Sequence, residues 1–472
     1  MGILIGNGVV SIFRVNVYTF LRLINIKHVL MWLSGWKRAE VITFLLLVTL
    51  SVEHTPLPFR AQILPLTSIL ALAFLPVTVN KLELTSLFKV IMLFVAFVLI
   101  HSLFALLIDI VVLNVGDIRV LAWARQVIAL GMGLAVFLVL RRTLISSSNR
   151  FVVYSIIVGA VPAILLAMLN ILWYLTGNAL AGDIVTVIRS ALDYSFISPA
   201  RVSGLSQEPA HFAQYLSIIV IPAASIAILT FKNRAFWFIV LCACIVSFIF
   251  TFSVTGFVVL MSAILSGILF GPRRELFVVL MIVLLGVTAV GLTLFDNNYA
   301  VIQVGRLFGV WSLSITSRFY GAFGPFMKSF SSYTLLGYGL GGTATHFTDV
   351  VPEFVQSDVA SVHWEDMPNL GPLIGRLLAE TGLLGLILFT AIIIVCFREI
   401  SFVSRHASNQ TEILFIKIIR IGIIAYCIGP GLFGPGSFAL PYLWVWLAVV
   451  DARYQSCKKS LYKDSMVKGV LL

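Results

Sequence analysis

RVSGLSQEPAHFAQYLSIIVIPAASIAIL, from Arg201 to Leu229, changes character at Pro209. Its second half is an apolar run long enough to cross ~30 Å of hydrocarbon as a helix. Its first eleven residues hold Arg201, Gln207, Glu208 and His211. Proline suits the first turn of a helix, because it lacks the amide hydrogen that this position would leave unpaired. Glu208 then stands at the positive helix start, where a carboxylate is favoured by about 0.3–1 kcal/mol. The stretch therefore predicts a membrane-length helix that begins with charge.

The same apolar character recurs along the chain. Of 472 residues, 60% are hydrophobic and 11% charged, and the mean hydropathy is +1.06. A soluble domain is nearer half apolar and a quarter charged. Long chains divide into domains rather than growing one greasy interior, so this excess points to lipid. The runs are too long and continuous for the alternating segments of a barrel. The reading is an all-α polytopic membrane protein of about 12 transmembrane helices, near 39–52, 61–79, 85–111, 120–140, 151–176, 207–231, 235–252, 256–270, 275–295, 372–397, 412–431 and 436–450. No internal repeat is visible.

The net charge is +12, but the basic residues are dispersed in short loops rather than gathered in a phosphate-binding stripe, which argues against nucleic acid as a partner. With this set of spans, one group of loops holds twenty Lys and Arg and the other eight, the last four of the 32 falling inside spans. By the positive-inside rule the richer group is cytoplasmic, and both termini with it. Residues 1–38 read as a basic amphipathic segment on the membrane surface, without the small-residue cleavage site of a signal peptide, and 451–472 as a basic cytoplasmic tail. Helices 1–9 occupy 39–295 and helices 10–12 occupy 372–450. Two long segments, 177–206 and 296–371, fall on the outer side; neither is expected to span the membrane, the first is expected to be non-helical, and the second is expected to be a long loop carrying short helices. A connection as long as the second is uncommon in a compact bundle and is often functional. The five cysteines suit small buried hydrophobes better than a disulfide framework.

The outer segments carry most of the chemistry. The first ends in Arg201, Glu208 and His211; the second holds Arg306, Arg318 within SITSRFYGAF, the glycine run LLGYGLGGT (Leu335–Thr343), and SVHWEDMPNLGPLIGRLLAETGLLG (Ser361–Gly385), with His363, Asn369 and Arg376. Each has a plain structural explanation. Glu208 can be a helix cap, Arg318 a snorkelling residue on an interfacial helix, His211 a satisfied polar contact, His363 part of a solvated acidic turn, and the glycine run a set of tight turns. The run lacks the Gly-Lys-Ser/Thr of a phosphate loop. As a set the residues say more. Arginine suits bidentate phosphate recognition, and histidine can act as a base near neutral pH. Two outer loops that bring arginines and a histidine to the mouth of a bundle suit an anionic, lipid-linked substrate. No DxD, HExxH or GxSxG motif is present.

RVSGLSQEPAHFA resembles the element of bacterial O-antigen and exopolysaccharide polymerases, and of the related O-antigen ligases, in which Arg and Gly precede a Glu-Pro-x-x-x-Ala helix start, here Glu208, Pro209 and Ala213. SRFYGAFGPFMKSFSSYTLLGYGLGG is similar to their arginine followed by a Gly-x-Gly stretch, and HWEDMPNLGPLIGRLLAETGLLGLILF to their outer histidine, asparagine and Glu-x-Gly-x-x-Gly helix. The likeness covers about 200–390. It implies an integral-membrane glycosyltransferase of the bacterial inner membrane, with its active site facing the periplasm. The donor would be a glycan on undecaprenyl diphosphate, and no cofactor or metal would be used. Arg201 and Arg318 would hold the diphosphate and His363 would take the acceptor proton, with Glu208 or His211 as alternatives for that role. Arg306, Asn369 and Arg376 are further candidates. A chain-length regulator would be a partner, beside the lipid bilayer.

A ligase transferring finished glycan to lipid A core shares this chemistry and differs in acceptor. A lipid-linked oligosaccharide flippase is the alternative of another class. Its ionisable residues would sit at the midplane, for which Asp109, Arg125, Lys417 and Arg420 are the few candidates.

Overall fold

The computed structural model describes residues 36–53, 64–79, 83–114, 116–192, 194, 198, 200–271, 274–275, 277–278, 280–282, 313–332, 335–353, 370–407, 409–434 and 436–467. Among them there is no strand. The helices are α1 (Arg38–Val48), α2 (Leu66–Thr78), α3 (Ser86–Val112), α4 (Asp117–Thr143), α5 (Asn149–Thr176), α6 (Ala179–Ala191), α7 (Pro209–Thr230), α8 (Arg234–Ile249), α9 (Val254–Phe270), α10 (Leu313–Ser332), the single turn α11 (Phe347–Val350), α12 (Leu373–His406), α13 (Gln410–Phe433) and α14 (Pro441–Val467). Six of them, α3, α4, α5, α7, α12 and α13, are long and apolar enough to cross a membrane. The chain is thus all-α and has the helices of a membrane-embedded protein. The expected span at 275–295 lies mostly outside the described residues.

Local sequence sets the helix ends. Thr85 accepts from the Phe88 amide, Ser148 from Phe151 and Ser253 from Gly256, each at 3.1 Å. Such caps are worth about 0.5–2 kcal/mol. Gly177 closes α5 in the left-handed region at φ +65°.

α7 runs through the core, with nearly every residue from Pro209 to Ala227 buried. It packs against α8, α13 and α5. Its helical hydrogen bonding widens to a π pattern over Leu216–Val220, and the buried Trp446 indole donates to the Ile218 carbonyl at 3.0 Å. Around it α3 packs on α12, α4 on α2 and α14, and α9 on α13. α10 lies along α12, and Gly375 meets the Gly321 carbonyl so closely that a Cβ there would stand 2.0 Å from it.

Polar side chains gather at two opposite ends of the helices. At one end Arg141 on α4 donates to Asp451 on α14 at 2.7 Å and to the Glu83 carbonyl at 2.8 Å. Thr85 and Gln455 also bond Asp451. The other end holds Glu53, Asp109, Arg119, Arg189, His211 and Arg376.

The expectation of a non-helical first outer segment is corrected. Residues 179–191 form α6, capped by Asn178, whose side chain accepts from the Ala181 amide at 3.0 Å. Its buried face is Ala181, Gly182, Val185 and Arg189, while Leu180 and Val187 are exposed. An amphipathic helix of 13 residues looks like loop when the sequence is read only for membrane-length runs. Within 296–371, residues 313–332 form α10, a 20-residue helix with Pro325 inside. Nor does the chain leave the bundle at 451: α14 continues to Val467, with Asp451 and Cys457 buried. The glycine run does form tight turns, with Gly337, Gly339 and Gly341 at φ +68°, +77° and +71°.

Candidate functional site

The loop before α7 is shaped by Arg189 of α6. Its guanidinium donates to the carbonyls of Gly204 (3.2 Å), Ser206 (3.1 Å) and Gln207 (3.0 Å). It stacks 4.9 Å over the Tyr194 ring, and the Tyr194 hydroxyl donates to the Leu205 carbonyl at 2.6 Å. Burial lowers the Arg189 guanidinium to about 10, so it keeps its charge at neutral pH. Gly204 sits at φ +53°, with the Phe212 ring 2.7 Å from where a Cβ would be. This position needs glycine both for its dihedral and for space.

Arg201 is tied at both ends of its residue. Its Nε donates to the Thr251 carbonyl at 3.3 Å, and its own carbonyl accepts from Asn170 at 3.3 Å. Glu208 is the N-cap of α7 with Pro209 directly after it, as the sequence reading requires, but its carboxylate makes no capping hydrogen bond and is exposed.

α10 brings Arg318 to this place, where its guanidinium donates to the Thr255 hydroxyl at the start of α9. Burial pushes the Arg318 guanidinium below its ordinary value; the nearby Glu208 carboxylate opposes the shift and the Arg201 cation adds to it. Two segments far apart in sequence thus set two arginines and a glutamate within reach of one another's charge at the α7 start.

His211 lies one turn into α7 and is buried. Its Nδ1 is 3.1 Å from Oε2 of Glu53, and the Tyr442 hydroxyl donates to the other oxygen of Glu53. The charges whose fields reach the imidazole are Glu53, Glu208 and Arg318. One turn further, Gln214 is fully buried and neither amide atom has a protein partner among the described residues. Gly434 packs against that amide and against Thr255.

The structure therefore brings Arg201 and Arg318 to the 251–255 segment, which packs beside the α7 start that carries Glu208 and His211. Arg376 is engaged elsewhere: it donates to the Gly436 carbonyl at 3.0 Å and to Gln126, and lies 3.8 Å from Glu380. His363, Asn369 and Arg306 lie outside the described residues. Of the midplane candidates, Asp109 is paired at 2.6 Å with Arg119, near the ends of α3 and α4, and Arg420 donates to the Phe270 carbonyl at 2.9 Å.

Several partners were not singled out in the sequence. Glu53 holds His211, Tyr442 holds Glu53, and Thr255 receives Arg318. A separate polar group surrounds the glycine turns: Arg119 donates to the carbonyls of Leu340 (2.6 Å) and Tyr338 (2.8 Å), and His346 stacks on Tyr338 with ring centres 4.1 Å apart. The signal for Glu53 was its place as a lone carboxylate ending an apolar run. Among the described residues no group of three or more His, Cys, Asp or Glu could hold a metal ion. An open cavity of about 520 Å³ lies far from these groups, on the flank of α12 beside Phe397, Arg398, Phe402 and Arg405. It is lined by one helix alone. No known protein-family model matches the chain, and no curated protein matches it.

Proposed function

We propose that this protein is an integral-membrane glycosyltransferase that polymerises lipid-diphosphate-linked oligosaccharide units into O-antigen or exopolysaccharide. In this reading it crosses the bacterial inner membrane about twelve times, with both termini cytoplasmic and the Arg201–Arg318 end facing the periplasm. The observation that supports the reading is that Arg201 and Arg318, far apart in sequence, both bond the 251–255 segment beside the start of α7.

The chemistry follows from charge. When the bond from the anomeric carbon to the diphosphate breaks, the electron pair stays on the diphosphate. Fixed cations aimed at those oxygens stabilise that charge more in the transition state than before it, an effect worth several kcal/mol at comparable sites. Two guanidiniums offer planar, bidentate donors for phosphate. Arg318 donates to the Thr255 hydroxyl and Arg201 to the Thr251 carbonyl, so both guanidiniums are anchored on the short segment that opens α9. The lipid tail would lie among the apolar helices below, where its transfer from water is favourable.

The test is a surface-glycan gel from cells lacking the gene, complemented with wild type or Arg318→Ala. Core bearing a single repeat unit in the deletion, restored to long chains by wild type alone, is the expected result. Long chains in the deletion or with the variant refute the polymerase. Unmodified core beside long polymer retained on carrier lipid identifies a ligase instead.

A further inference from the structure

Glu53 follows α1, His211 belongs to α7 and Tyr442 opens α14, so the fold assembles this buried trio from three distant segments. Glu53 is 1% exposed. A carboxylate so enclosed is costly unless its oxygens are satisfied. Here one oxygen accepts from the Tyr442 hydroxyl and the other faces His211 Nδ1 at 3.1 Å. A carboxylate can only accept, so Nδ1 carries its hydrogen toward Glu53 and Nε2 is left as the basic nitrogen. Nε2 has no protein partner among the described residues. The ring also lies where the charges of Arg318 and Glu208 reach it.

We infer that His211 is the base of the transfer, that Glu53 is the positioning residue that fixes its tautomer, and that Tyr442 in turn fixes Glu53. This rests on the glycosyl-transfer reading above. The step balances as follows. Nε2 takes the proton of the acceptor sugar hydroxyl, and the acceptor oxygen forms the new bond to the donor's anomeric carbon. The bond from that carbon to the diphosphate oxygen breaks, and its electron pair leaves on the diphosphate beside Arg318 and Arg201. The imidazolium then returns its proton to solvent or to the departing diphosphate. A buried carboxylate that orients an imidazole and stabilises its cation is the arrangement that serves proton abstraction elsewhere.

The groups facing the ring are Glu53, Glu208 on its own helix and Arg318 on α10. Tyr442 stands behind Glu53, and the Tyr215 ring lies 5.9 Å from that of Tyr442. Losing the Glu53 charge removes the nearest stabiliser of an imidazolium, so the acid limb of the rate profile moves to lower pH. A purely structural contact would not move that limb.

The experiment follows elongation of a defined lipid-diphosphate oligosaccharide by purified wild type, Glu53→Gln, His211→Gln, Tyr442→Phe and Arg318→Ala across the range where histidine titrates. Each variant is first checked for monodispersity and thermal midpoint. His211→Gln should lose about a hundredfold or more in kcat, the usual scale for a general base, with KM for the donor little changed. Glu53→Gln should lose less and shift the acid limb downward; Tyr442→Phe should do the same more weakly. If His211→Gln fails to fold, the limb of Glu53→Gln decides. Wild-type rate in His211→Gln, or an unmoved limb in Glu53→Gln, overturns the assignment while an inactive Arg318→Ala keeps the glycosyl-transfer reading. Failure of wild type itself to elongate overturns both.

Discussion

Arg189 Nη1 lies 3.1 Å from the carbonyl oxygen of Ser206, and the same guanidinium holds Gly204 and Gln207. One side chain on α6 therefore sets the path of the loop that presents Arg201 and Glu208. Lysine cannot span three carbonyls as a planar fork does. An abandoned buried carbonyl costs about 1–3 kcal/mol. Arg189→Lys should lower stability by a few kcal/mol and weaken donor binding while the protein still inserts. Thermal unfolding in detergent and the donor KM check this; unchanged values for both would mean that the loop holds itself.

The pair of Asp109 and Arg119 braces the glycine turns. Arg119 is fully buried, and besides Asp109 it holds the Leu340 and Tyr338 carbonyls. Removing one partner of a buried ion pair typically costs about 3–5 kcal/mol. Asp109→Ala and Arg119→Ala should each destabilise on that scale, and the double variant should cost clearly less than their sum. Additive losses in thermal or denaturant unfolding would show that the two side chains act separately.

Gly382 interrupts α12 at φ +65°, ψ −168°, and a Cβ there would stand 2.3 Å from the Leu335 carbonyl oxygen. Both the dihedral and the space exclude a side chain. Gly382→Ala should destabilise by roughly 1–3 kcal/mol or more and displace the 335–342 turns. Gly131→Ala, at a glycine with open space around it, is the control and should be near neutral in the same melt.

How much of this was legible in the sequence varies with the kind of signal. Runs of apolar residues declare membrane-length helices, and α3, α5, α7 and α12 begin within two or so residues of their expected starts. The Glu208–Pro209 boundary was readable because proline has one good place at a helix start. α6 was not, because a 13-residue amphipathic helix has no long apolar run. Arg201 and Arg318 stood out as charge in an apolar chain, but nothing in their spacing puts Thr255 under one of them. Glu53 became the partner of His211, and Tyr442 that of Glu53, only through three-dimensional packing. The sequence distance from Glu53 to Tyr442 is most of the chain, and a single sequence carries no record of such contacts.

The central claim is that Arg201 and Arg318 hold the departing diphosphate. The most direct measurement is elongation of a synthetic lipid-diphosphate oligosaccharide by the purified protein in lipid nanodiscs, comparing wild type with Arg318→Ala and Arg318→Lys. Wild type should build polymer, Arg318→Ala should lose at least about a hundredfold in kcat/KM, as loss of one preorganised charge donor does elsewhere, and Arg318→Lys should fall between, since it keeps charge without the fork. Equal polymer formation by all three proteins would contradict a role for Arg318 in diphosphate departure.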